Sequence, residues 1–89
     1  MKTEEEIFDA FMKNDYWKEY YEKAPSDNCK KYIRLGFMAE LYLNKPDDFK
    51  RQRRELEEGL DVTDWEYLYK YAGNNPFRIF CKNKIKEFK

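Results

Sequence analysis

Residues Leu35-Gly36-Phe37-Met38-Ala39-Glu40-Leu41-Tyr42-Leu43, wound into a helix, are apolar on nearly every side. A helix without a polar face cannot lie on a surface, so other elements must surround it. No other feature constrains the fold as strongly. The helix containing this stretch starts after Ser26-Asp27, which offers an N-cap, and is expected to occupy roughly residues 28–43. Asn44-Lys45-Pro46 then stops it and opens the next helix. Gly36 inside such a helix costs about 1 kcal/mol against alanine, so another backbone or a ring is expected to pack close there.

Helix-start signals supply the surrounding elements. Thr3-Glu4-Glu5-Glu6 has the form of a capping box, and its acids suit the positive end of the helix dipole. Ile7, Phe8, Phe11 and Met12 give one apolar face, which is lost at Asn14-Asp15. Trp17, Tyr20, Tyr21 and Ala24 begin another, so a break or kink near Asn14 is expected. Residues 47–58 carry a narrow stripe of Phe49 and Leu56, continued by Leu60. Around it the pairs Asp47/Arg51, Arg51/Glu55, Arg53/Glu57 and Arg54/Glu58 lie at i,i+4, which reads as a peripheral, solvated helix. Gly59 fits a left-handed C′ position.

Thr63-Asp64-Trp65-Glu66 reads as a second capping box, with Val62 and Tyr67 as its hydrophobic staple. That helix reaches Ala72, and Gly73 ends it. Asn75 and Pro76 start the last helix, whose core face is expected to be Phe77, Phe80, Cys81, Ile85 and Phe88. The expected fold is therefore all-α: a compact bundle of about five short helices around the central one, with residues 1–89 as a single helical domain.

Composition explains how so small a chain fills a core. A chain of 89 residues buries only about 60–65% of the surface that its unfolded form exposes. Leucine, isoleucine, valine and phenylalanine are few, but eight tyrosines and two tryptophans add large rings. Cys29 and Cys81 stand far apart without CxxC spacing and are expected to be free buried thiols. The start is too acidic for a signal peptide, and no apolar run is long enough for a membrane, which gives cytoplasmic as the expected location.

Chemistry is restricted by what is missing. Without histidine, neither a Ser-His nor a Cys-His dyad can form, and the commonest metal ligand is lost. There is no GxxxxGK[ST] and no GxGxxG, and three glycines do not build a phosphate-cradling loop. The carboxylate pairs Asp47-Asp48 and Asp61/Asp64 stand at helix starts, where capping explains them. Glu40, the one charge in residues 35–43, is expected at a helix edge, accepting from a tyrosine or an arginine. The expectation is a protein that is not an enzyme, with no catalytic residues, no cofactor and no metal.

Binding surfaces are the better candidates. Arg78, Lys82, Lys86 and Lys89 fall within one quadrant of the last helix with no acid among them. Tyr67 and Tyr71 project from the opposite side of their helix to Trp65 and Leu68, toward an interface or toward structure within the chain. These six residues form the candidate interaction surface of a small non-catalytic accessory module. Another protein is the expected partner, a weak homodimer is the further expectation, and no membrane is involved. The alternative is helix-turn-helix-like nucleic-acid binding through residues 64–89, against which stand a net charge of +0 and the bulk of Trp65 and Tyr69. In general style the chain resembles small accessory proteins of bacteria and their mobile elements, a resemblance that implies no activity.

Overall fold

The computed structural model describes residues 3–41 and 46–89. The described residues form six helices and no strand: α1 (Glu4–Phe11), α2 (Asp15–Glu22), α3 (Asp27–Leu41), α4 (Pro46–Glu57), α5 (Val62–Tyr71) and α6 (Pro76–Glu87). The all-α expectation holds, with six helices rather than about five. The break at Asn14 is complete, because its carboxamide oxygen accepts from the amides of Tyr16 and Trp17 at 2.9 and 3.3 Å. That cap restarts the chain as a separate helix.

Helix α3 is central, as its apolar circumference requires. Cys29, Tyr32, Ile33, Leu35, Phe37 and Met38 are all 7% exposed or less. At about 100° per residue these positions are spread around the whole helix. Helices α1, α2 and α4 pack on it, while α5 and α6 pack on each other. The Tyr32 ring ties α3 to that second pair, meeting Trp65 edge-on at 5.7 Å and stacking with Phe77 at 6.3 Å. Tyr42, Leu43 and the Asn44-Lys45 stop signal lie outside the described residues.

Several caps fall where they are expected. The Thr3 hydroxyl accepts from the Glu6 amide at 3.2 Å, although Glu6 takes the hydroxyl proton instead of reaching the Thr3 amide. Asn75 caps α6 with Pro76 in the first turn, and Gly73 leaves α5 at φ 67°.

Other local expectations are corrected. The box that opens α5 is Asp61/Asp64, not Thr63/Glu66: Asp64 N–H donates to Asp61 Oδ1 at 3.0 Å, and Asp61 N–H to Asp64 Oδ2 at 3.1 Å. The choice is made from outside the segment. Ser26, the N-cap of α3, donates its hydroxyl to Asp64 Oδ1 at 2.8 Å while accepting from the Cys29 amide at 3.0 Å. The positions flanking this cap are therefore Leu60 and Trp65, both buried, rather than Val62 and Tyr67. Gly59 is not left-handed; its amide closes a turn onto the Leu56 carbonyl at 2.9 Å. None of the four i,i+4 pairs expected on α4 forms among the described residues, where Arg51 instead meets Asp48 at 3.7 Å. Phe88 is 51% exposed, because α6 runs on past the body that its inner face covers.

Candidate functional site

Helix α6 has two unlike sides. Its inner side carries Cys81, fully buried, with Phe77, Phe80 and Ile85 half-buried beside it. Burial pushes the Cys81 thiol up to about 12, and burial aided by the nearby Asp64 and Asp61 carboxylates does the same for Cys29. Both cysteines are free and buried. In this state neither is a nucleophile at neutral pH.

The outer side carries Lys82 and Lys86, with Lys89 just beyond its end, all three exposed. Among them stands Ile79, 65% exposed, an aliphatic side chain that the fold leaves in water. The fourth member of the expected stripe behaves differently. The Arg78 guanidinium lies 4.7 Å over the Tyr69 ring and donates to the Tyr69 hydroxyl at 3.3 Å. That hydrogen bond, with the positive charge behind it, holds the Tyr69 phenol below its usual range. Arg78 therefore fastens α6 to α5, and the free basic surface is Lys82, Lys86 and Lys89.

Tyr67 and Tyr71 turn toward α2, not toward α6 and not toward Val62. The Tyr67 hydroxyl donates to the Tyr20 carbonyl at 2.6 Å, and its ring stacks on Tyr20 at 5.8 Å. Tyr71 stacks on Tyr20 at 4.9 Å, and its carbonyl accepts from the Tyr16 hydroxyl at 3.3 Å. Both rings are half-buried. Burial raises the Tyr20 and Tyr67 phenols well above their ordinary range. The structure thus separates the six candidate residues: two tyrosines on the α2 side of α5, one arginine as a tether, and three exposed lysines.

A second feature concerns Arg53, which was expected on the solvated outside of α4. Its guanidinium lies against both rings of the stacked Tyr32–Phe77 pair, at 4.3 Å from the Tyr32 centroid and 4.8 Å from that of Phe77. It also lies against Gly36, where a Cβ would come within 3.2 Å of it. The close neighbour that Gly36 requires is this guanidinium, not a backbone or a ring. Glu57, the expected ion partner, instead accepts from the Tyr32 hydroxyl at 3.0 Å. Arg53 Nε is buried without a hydrogen-bond partner, and among the described residues the guanidinium forms no ion pair.

A signal for this was present in the chain. Phe49, Arg53, Leu56 and Leu60 follow a 4-3-4 spacing, so Arg53 occupies the second position of an otherwise apolar inward stripe. Arg53 and Gly36 line a cavity of about 380 Å³, together with Trp17, Tyr20, Phe37, Tyr71 and Phe77. Glu40 also lines it and is exposed, as expected at the helix edge, but among the described residues it accepts no hydrogen bond from a tyrosine or an arginine.

Among the described residues no cluster of three or more metal-ligating side chains occurs, and no helix is long and apolar enough to cross a membrane. No protein-family model matches the chain, and no curated protein or solved structure matches it either.

Proposed function

We propose that this chain is a non-catalytic protein-interaction module that holds an acidic partner segment along the outer face of α6. The observation that carries this reading is Ile79, 65% exposed beside the exposed Lys82 and Lys86. An apolar side chain with like charges along one side of it offers an anchor that desolvates on contact and a field that steers an acidic partner to it. The two free thiols suit a reducing compartment, which supports a cytoplasmic setting.

Nucleic acid is the competing partner, favoured by the same three exposed lysines. One experiment separates the readings. Wild type and the Lys82→Glu/Lys86→Glu variant are each used for pull-down from the native host, with circular dichroism to verify that both are folded. An acidic protein retained by wild type and lost from the folded variant supports the module. Equal retention by both removes α6 from the interface. A mobility shift with mixed duplex and single-stranded probes at low salt, falling steeply as salt rises, favours nucleic acid. Sedimentation of the purified protein shows whether a second copy occupies the face instead.

A further inference from the structure

We propose that the cavity between α2, α3 and the α5–α6 turn binds a small aromatic carboxylate. Arg53 would take the carboxylate, and the surrounding rings the planar body. This site is separate from the outer face of α6 and does not depend on the partner assigned there. Four observations converge on it.

First, the volume of about 380 Å³ lies at the small end of ligand sites, enough for a compound of one or two rings. Second, the lining is aromatic: Trp17, Tyr20, Phe37, Tyr71 and Phe77 present ring surface to whatever occupies it. Third, among the described residues Arg53 is the one cationic residue lining the cavity, and it forms no ion pair. A guanidinium is a planar fork that matches a carboxylate with two parallel hydrogen bonds. Fourth, the fork is held in place before any ligand arrives. Tyr32 and Phe77 lie against it at 4.3 and 4.8 Å, Gly36 makes room beside it, and its Nε is already stripped of water without a protein partner. A cation already held in place loses little conformational freedom on binding an anion. Glu40, exposed on the same lining, sets the selectivity: a second negative charge on the ligand would meet it, so a mono-acid is preferred over a di-acid.

The test uses benzoate as the probe, with benzyl alcohol as its uncharged counterpart and acetate as the charge without the ring. Amide chemical shifts are followed by NMR on the full chain. Benzoate is expected to perturb Gly36, Phe37, Tyr71 and Phe77 saturably, and to bind at least about tenfold tighter than either control. Arg53→Met keeps an unbranched side chain in the inward stripe and is expected to abolish the preference for benzoate over benzyl alcohol. In case that variant does not fold, Arg53→Lys keeps the charge without the fork and is expected to weaken benzoate severalfold. The proposal is overturned if wild type shows no saturable shifts up to about 10 mM benzoate. It is equally overturned if benzyl alcohol binds as tightly as benzoate, or if the folded Arg53 variant binds benzoate as wild type does.

Discussion

Helices α4 and α6 each run for 12 residues, begin with proline and carry basic side chains at helical spacing. They place those side chains differently. α4 turns Arg53 inward, against Tyr32 and Phe77, while α6 leaves Lys82 and Lys86 in water. The chemistry of the cation accounts for the difference. Arg34, Arg53 and Arg78 each lie within 4.8 Å of a ring centroid. Lys70 and Lys84 approach rings no closer than 5.5 Å. A guanidinium is flat and weakly hydrated and can exchange water for a ring face; an ammonium keeps its water. Residue type alone does not decide the outcome, since Arg51 and Arg54 on α4 are exposed; an arginine becomes structure where the fold sets a ring face beside it, as at Arg34, Arg53 and Arg78.

The sharpest way to break this comparison is to remove one cation from each helix. Arg53→Ala removes the guanidinium from the faces of two rings and is expected to cost about 3 kcal/mol in urea unfolding. Lys82→Ala should stay within about 0.5 kcal/mol. Equal losses would mean that Arg53 is no more structural than a surface lysine.

Raising the pH probes the inner side of α6 against its outer side. The Cys29 and Cys81 thiols keep their protons to about 12 when folded, against an ordinary value of 9.0. Their contribution is complete below pH 9 and is lost as the pH climbs from there toward 12. Stability at pH 10 is expected to fall by about 1 kcal/mol for each thiol, read as a drop in urea midpoint. The raised Tyr20, Tyr32 and Tyr67 phenols add to the loss above their own ordinary range. A flat profile between pH 8 and 10 would contradict the burial of both sulfurs.

Gly36→Val drives a branched side chain into the guanidinium 3.2 Å from its Cβ position, and about 1–2 kcal/mol should be lost. Combined with Arg53→Met, the two changes should be less than additive, because the clash disappears with the fork. Simple additivity would show that Gly36 is needed for another reason. The smallest effect belongs to Ile79→Ser, which should leave the melting temperature almost unchanged while weakening partner capture.

What could be read in advance follows the range of the interaction. The caps at Thr3, Asn14, Ser26 and Asn75, and the left-handed Gly73, are settled within a few residues, and the chain displays them openly. The central place of α3 was legible because a helix apolar all round has one solution. The start of α5 was not. Two overlapping boxes compete there, and the choice falls to Ser26, 38 positions away. Tyr67 and Tyr71 were legible as rings needing cover, but their cover is Tyr20, 47 and 51 positions back, where no local pattern reaches. Arg53 is hidden by its own charge, which by itself points to the outside of α4. The 4-3-4 spacing from Phe49 to Leu60 placed it inside all along.

The Asp64 carboxylate, 3% exposed, is shared between two helix starts. One of its oxygens holds the start of its own helix, and the other holds the hydroxyl that starts α3. Neither helix has its full beginning until the other has arrived. The Ser26–Asp64 bond therefore joins two helix starts that are 38 positions apart, so a change at either residue is expected to weaken both.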